Sequence, residues 1–418
     1  MSSKEKANSA NIPVKPDKKS TAVLIGAAFL MATSAIGPGF LTQTTLFTSQ
    51  YMASFATVIL CTIILDITTQ VNVWRIIGVS GLRGQDVANK VLPGLGYFVA
   101  FLVALGGLAF NIGNVGGVSL GFNAMLGIPT KVGCLLGGAL AICIFLSKDA
   151  KKGMDVVTKV LGGIILVTIF FVAVSSKPPV GEVAVKVFAP DEPLALFFPM
   201  ITLLGGSCGG YITFSGAHRL LDAGISGKEN LGQIQRSVLT GISVSGTVRI
   251  LLFLAVFGVC SAGGANAISA VSSASNPAAE AFRLAAGEIG YRLFGVALFA
   301  AGITSVIGAA FTSVSFLKTL HPFIAKNEKW FIVGFIAVST LIMTILGGAK
   351  ALLVAAGSLN GLILPVTLGT MLLASRNKAI VGEDYKHPTA LIVAGVVVVL
   401  LTGYVGIQAL PKLLTIFG

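Results

Sequence analysis

Two short stretches of this chain offer groups that can hold a small ligand, and neither carries a charged side chain. The first is Ser34-Ala35-Ile36-Gly37-Pro38-Gly39-Phe40-Leu41-Thr42-Gln43-Thr44, and the second is Gly206-Ser207-Cys208-Gly209-Gly210-Tyr211. Pro38 lacks an N–H, and the flanking glycines lack a Cβ, so a helix cannot run through Gly37-Pro38-Gly39 undisturbed. In lipid such a break is tolerated where the freed backbone groups line an enclosed cavity or meet a ligand. A break offers N–H groups at the positive end of a new helix, and glycine lets a ligand approach the main chain. The candidate substrate-binding residues are Ser34, Gly37, Pro38, Gly39, Phe40, Thr42, Gln43 and Thr44 in the first stretch, and Gly206, Ser207, Cys208, Gly209, Gly210 and Tyr211 in the second. Their hydroxyls and amides suit an organic molecule better than a bare divalent ion. Phe40 and Tyr211 serve either as cavity walls or as packing against neighbouring helices.

The other chemistry at membrane depth is sparse. Asp66 and Arg249 are the clearest charges inside apolar runs. An intramembrane ionisable group is a functional candidate by default, with a structural pair, Asp66–Arg249 or Asp66–Arg75, as the alternative. Candidates for a coupling ion are Asp66, Asn111, Asn114, Thr304 and Ser305, with Thr312 and Ser313 as further neutral oxygens. His218, Arg219 and Asp222 read as an interfacial cluster. Cys61, Cys134, Cys143, Cys208 and Cys260 lie in apolar segments without paired spacing, so no disulfide framework or Cys-rich metal site is expected. No catalytic motif or phosphate-binding loop is present, so neither an enzyme nor an ATP-driven pump is expected, and no cofactor.

The elements that position these residues are transmembrane helices. Over 418 residues the chain is 55% hydrophobic and 11% charged, with a mean hydropathy of +0.91, too little polar surface for a soluble globule. Apolar runs predict eleven spans, at about 22–48, 54–76, 94–120, 131–147, 156–175, 195–220, 237–261, 290–317, 330–347, 350–374 and 389–411. The net charge of +13 sits in short clusters between them, as topology signals do, so nucleic acid is not expected as a partner. The basic clusters put the N-terminus in the cytoplasm and the C-terminus outside, in the plasma membrane. Residues 1–20 read as a disordered cytoplasmic tail, and 21–418 as one transporter domain. Stretches 177–193 and 262–289 read as connectors, the second with a short amphipathic helix near 278–287. Pairing spans 1–5 with 6–10 gives repeats of about 21–175 and 195–374, the second inverted, with span 11 (389–411) outside them. The breaks then fall near the middle of spans 1 and 6, the expected discontinuous helices. The expected fold is therefore an all-α integral membrane protein with an inverted five-plus-five repeat, acting on a small-molecule substrate as a monomer among lipids.

The break in span 1, together with Arg75-Ile76-Ile77-Gly78-Val79-Ser80-Gly81 and Gln85-Asp86-Val87-Ala88, resembles the natural resistance-associated macrophage protein (NRAMP) family. That resemblance implies eleven or twelve helices, proton-coupled import of divalent metals, and a fold shared with sodium-coupled amino-acid transporters. The family's Asp-Pro-Gly-Asn in span 1 is here Gly37-Pro38-Gly39-Phe40, and its Met-Pro-His in span 6 corresponds to Cys208-Gly209-Gly210. The carboxylate, the methionine and the histidine that would hold a metal are thus replaced, and no carboxylate is expected to face either break. The expectation is a secondary transporter of a small organic carboxylate or amino-acid derivative. This branch of the resemblance implies a 5-oxoproline-like cyclic amide acid as one candidate. A divalent cation transporter, Mg2+ before Mn2+ or Fe2+, and a membrane sensor are the alternatives, and the coupling ion is open. Alanine at Gly37 or Gly209 is expected to weaken uptake more than folding.

Overall fold

The protein is described here by a computed structural model covering residues 18–147, 163 and 166–415. The expected tail, 1–20, lies outside the described residues apart from the backbone of 18–20, as do 156–162, 164 and 165 of span 5. Among the described residues the structure is all helical. Helices α1 (Lys18–Ala35) and α2 (Pro38–Tyr51) form broken span 1, and α3 (Phe55–Ser80) forms span 2. After the short α4 (Gly84–Val91) come α5 (Leu95–Leu126), α6 (Thr130–Leu146), α7 (Leu166–Ser175) and α8 (Val180–Lys186), the last pair bent by 100°. Span 6 is again split, into α9 (Phe197–Cys208) and α10 (Ile212–Asp222). Next are α11 (Leu231–Ser273), α12 (Pro277–Leu317), α13 (Pro322–Lys326), α14 (Glu328–Leu346), α15 (Ala349–Ala374), α16 (Lys378–Val381) and α17 (Thr389–Leu414).

Among the described residues, eight stretches are long and apolar enough to cross a membrane, or nine with the bent pair, and Thr21–Ala35 and Thr130–Leu146 are shorter apolar helices. Large apolar side chains such as Ile64, Phe101, Leu135, Ile345 and Leu400 stand exposed on the outer faces. They face lipid, where exposed apolar surface carries no cost. The broken helices lie inside this shell: every residue of α2 from Pro38 to Ser49 is buried.

The packing displays the inverted repeat. Helix α3 packs on α11, α5 on α12, and α6 on α14, so each described helix of spans 2 to 4 touches its counterpart in the other half. Within spans 1 and 6, α1 lies against α10 and α2 against α9, the arrangement of two antiparallel helices that break at one depth. The breaks divide the buried apolar residues into one cluster around Phe47, Phe55, Phe198 and Phe253 and another around Trp74, Phe214 and Phe316.

One connector departs in part from expectation: the short helix near 278–287 is present as the start of α12, but the rest of the stretch is helical too. Residues 262–289 are almost wholly helical, because Gly264 (φ 58°) and Gly287 (φ 62°) turn the chain and let α11 and α12 extend beyond their spans. The extension of α12 is packed: Phe282 is fully buried and meets Phe294 with ring centroids 4.6 Å apart.

Candidate functional site

The first break is short. Gly37 (φ −76°, ψ 176°) is extended and starts α2, with Pro38 in the first turn, where its missing N–H costs nothing. Ile36 N–H still donates to Ala32 O (2.9 Å), and Leu41 N–H to Gly37 O (3.2 Å). The N–H groups of Gly39 and Phe40 head the new helix, where the helix itself provides no acceptor.

At the second break Gly209 (φ −78°, ψ 163°) ends α9 and Gly210 takes the left-handed φ of 55° that favours glycine. Here the donors close a tight turn: Ile212 N–H reaches Gly209 O (3.2 Å) and Phe214 N–H reaches Tyr211 O (3.1 Å), while Thr213 Oγ1 donates to Cys208 O. Backbone donors left for a ligand therefore come mainly from the first break.

The structure brings several expected side chains together around Gly37. An ideal Cβ on Gly37 would stand 2.8 Å from Ser305 Oγ and 3.6 Å from Asn114 Oδ1, and the Tyr211 hydroxyl lies beside the Asn114 amide. Tyr211 packs edge-on against Phe110 (6.0 Å), whose ring lies 3.1 Å from the Cβ position of Gly39. Gln43 anchors α2 to α15 through Nε2 donating to Leu353 O (2.7 Å), and its Oε1 lies by Gly206 with no protein partner. Thr44 Oγ1, Asn114 Nδ2 and Ser313 Oγ are likewise buried without a protein partner. Ser34 and Thr42 are buried in the same broken span.

Other expected residues do not join the group. Asn111 Nδ2 donates to Ser339 Oγ of α14 (3.1 Å), Thr304 Oγ1 bonds back to Ala300 O (3.1 Å), and Ser207 Oγ to Leu203 O (2.9 Å). These directions follow helical geometry, which binds a Ser or Thr hydroxyl to the preceding turn unless another helix competes. Asn360 of α15 was missed by the sequence reading. It donates to Gly106 O (2.9 Å) and Ala356 O (2.9 Å), and its Oδ1 faces Gly210 with no hydrogen-bond partner in the protein. A lone amide inside an apolar span was the available signal.

The charges require two corrections. A carboxylate does reach a break: Asp66 of α3 lies against the Cys208 thiol at the end of α9. Its partner is Arg249 of α11, Nη2 to Oδ2 3.5 Å, with both side chains fully buried. Gln70 Nε2 donates to Asp66 Oδ1 (2.5 Å), and Arg249 Nη1 donates to Thr62 Oγ1 (2.9 Å). The Arg249 guanidinium also lies over the ring of Phe40, 5.7 Å from its centroid. The pair therefore touches both broken helices, because α3 and α11 cross beside them.

His218 is the second correction, since it is buried instead of interfacial. Gly84 N–H donates to its Nε2 (3.1 Å), so Nδ1 carries the proton and donates to Ser315 Oγ (3.0 Å). The Arg83–Asp222 ion pair and Gln85 Nε2 donating to Thr319 Oγ1 (2.7 Å) complete a network that fastens α4, α10 and the end of α12 at one face of the membrane domain.

The family model for natural resistance-associated macrophage protein-like proteins matches residues 28–410. The chain belongs to this family. Within the curated proteins it is 54% identical over 391 residues to the Bacillus subtilis membrane protein YcsG, covering 94% of this chain and 95% of that one. It is 50% identical over 381 residues to a Haemophilus influenzae membrane protein, covering 90% and 93%. A crystal structure of the Eremococcus coleocola manganese transporter, in complex with an aromatic bis-isothiourea substituted compound, superposes with a TM-score of 0.75 at 16% identity, over 99% of this chain and 91% of that one. The structure of MhsT in complex with L-phenylalanine gives a TM-score of 0.62 at 16% identity, over 95% and 98%. The fold is thus the one expected, and the protein is a multi-pass member of the NRAMP-like family with the discontinuous helices of that architecture.

Proposed function

We propose that the protein is a secondary active transporter that imports a small organic carboxylate or amino-acid derivative, bound between the two breaks. The observation that carries this reading is the donor set there. The polar side-chain atoms there without a protein partner include neutral groups of Asn114 beside Gly37, Gln43 beside Gly206 and Thr44 of α2, and the carboxylate that reaches a break, Asp66, is already paired with Arg249. Among the described residues no three His, Cys, Asp or Glu side chains converge. Neutral donors beside a helix N-terminus complement an anion with further polar groups, whereas a dehydrated divalent ion needs anionic or strong donor ligands. The fold shared with a protein solved around L-phenylalanine supports a cargo of amino-acid size. The domain is read as one transporter unit from residue 21 onward, monomeric, with the N-terminus cytoplasmic and the C-terminus external. Catalytic activity has no part in this reading.

The test is uptake by proteoliposomes of a panel of radiolabelled acids (5-oxoproline, proline, lactate and succinate), beside Mn2+ and Mg2+, with thermal shift on the purified protein. One acid taken up against vesicles lacking protein, and stabilising it, is expected. Gly37→Asp places a carboxylate at the first break and is expected to cut that uptake on the order of tenfold or more by like-charge repulsion. Uptake of Mn2+ or Mg2+ with no acid transported overturns the proposal.

A further inference from the structure

The Asp66–Arg249 pair is unlike a settled structural ion pair. A guanidinium has five N–H donors, and burying it is tolerated when they are used. Arg249 is fully buried, yet its protein hydrogen bonds are one to Thr62 Oγ1 (2.9 Å) and one long contact to Asp66 Oδ2 (3.5 Å), and its Nε has no protein partner. A guanidinium and a carboxylate free to optimise form a bidentate fork with shorter bonds. Asp66 instead gives its other oxygen to Gln70 (2.5 Å). The unused donors sit at the junction of the two breaks, with Phe40 under the guanidinium and Cys208 against the carboxyl.

Building on the carboxylate reading above, we propose that Arg249 is the residue that receives the substrate's carboxylate, and that Asp66 is its resident counter-ion, which takes up one proton when the substrate binds. The physical reason is charge. A second anion beside an Arg249 already neutralised by Asp66 leaves one net negative charge in a medium that solvates it poorly. Protonation of the Asp66 carboxyl removes that charge, so the site is neutral with substrate and proton or with neither. The proton comes from water on the side of entry and returns to water on the side of release, when Asp66 pairs with Arg249 again. One carboxylate and one proton cross together, and the cycle moves no net charge. The titratable groups that face Asp66 are Arg249 from α11 and Cys208 from α9, with Gln70 a neutral neighbour on its own helix. The contact of this pair with Phe40 on α2 and Cys208 on α9 also gives substrate exchange at Arg249 a direct mechanical connection to both broken helices.

The experiment uses the acid identified from the panel, with Asp66→Asn, Arg249→Gln and the double variant. The double variant replaces an ion pair by two neutral amides, so it folds where a single variant leaves a charge unpaired. In the wild type the dissociation constant, from thermal shift, is expected to rise with pH, approaching about tenfold per unit where Asp66 is ionised in the free protein. Uptake should acidify a dye-loaded vesicle lumen and be insensitive to membrane potential. Asp66→Asn should abolish the pH dependence of binding and the acid accumulation driven by a pH gradient. Arg249→Gln and the double variant should lose acid binding by on the order of a hundredfold, as for removal of a buried charge-assisted partner. A folded double variant that binds and transports the acid like wild type overturns the assignment of Arg249, and potential-driven uptake overturns the proton step. Both results leave the organic-acid reading intact. Failure of the wild type to transport any acid of the panel overturns both.

Discussion

Gly37 and Gly210 lack a Cβ for different reasons, and the difference sets what alanine does at each. Gly37 has ordinary extended torsions, and its Cβ would meet the rotatable Ser305 Oγ at 2.8 Å, so the conflict is with one side chain inside the site. Gly37→Ala is expected to reduce uptake severalfold with a small change in melting temperature, and Ser305→Ala in the same chain should restore the fit. Paired uptake and melting curves check this. Gly210 has a left-handed φ of 55°, and a Cβ would also overlap the Asn360 amide. Left-handed backbone costs about 1–2 kcal/mol for a residue with a Cβ, so Gly210→Ala should lower the melting temperature itself. Gly209 belongs with Gly210 rather than with Gly37, since its Cβ would stand 2.6 Å from the Asn360 carbonyl oxygen, an atom of the backbone that cannot rotate away. The expectation that alanine at Gly209 spares folding is corrected on that ground. Melting curves of Gly209→Ala and Gly210→Ala against Gly37→Ala should separate the two classes.

At the scale of elements, the fastening of α17 to α3 carries a pH dependence. Asn72 Nδ2 donates to Leu391 O (3.0 Å), which leaves its Oδ1 to accept from His387 Nε2 (2.8 Å). His387 Nδ1 then accepts from the Tyr385 hydroxyl (3.0 Å), so the neutral imidazole uses both nitrogens. Burial, with Arg75 nearby, pushes His387 down to about 4. The folded state therefore binds a proton less readily than the unfolded chain, whose histidine titrates near its ordinary value. Stability is full above the unfolded value and falls as the pH drops from about 6.5 toward about 4, by on the order of 2 kcal/mol. Melting in detergent between those limits should show the loss, and His387→Gln should flatten it. The Arg83–Asp222 pair and His218 bind α10 to α4 and α12. Asp222→Asn should free α10 to open, raising the maleimide labelling rate of Cys208 severalfold in a background without the other cysteines. An unchanged rate would show that the network does not hold that face closed.

Across the whole molecule, the charge distribution sets the orientation and the fold sets how the two halves meet. The basic clusters predict a cytoplasmic N-terminus and, after an odd number of spans, an external C-terminus. Alkaline phosphatase fused after Gly418 should be active and green fluorescent protein at the same position dark. The reverse pattern would invert the assignment. Because α3, α5 and α6 each pack on their counterparts α11, α12 and α14, the broken helices are enclosed by both repeats, and the Asp66–Arg249 pair is one contact between them.

The sequence by itself determined that this is a polytopic helical protein with spans 1 and 6 broken at Gly37 and Gly209. Those features are local: apolar length, the missing Pro38 N–H and runs of glycine act within a turn or two of the chain. The family was legible for the same reason, in contiguous residues around Gly37 and from Arg75 to Ala88. Only the tertiary structure decided which polar groups share the breaks. Asn111 and Asn114 are one helical turn apart, yet one turns to Ser339 of α14 and the other to Tyr211 at the second break. Asp66 and Arg249 are 183 residues apart, and nothing in the spacing of either says that α3 and α11 cross where Phe40 and Cys208 stand. Which of several distant charges meet is set by the packing of whole helices, a property of the repeat's geometry that no local stretch encodes.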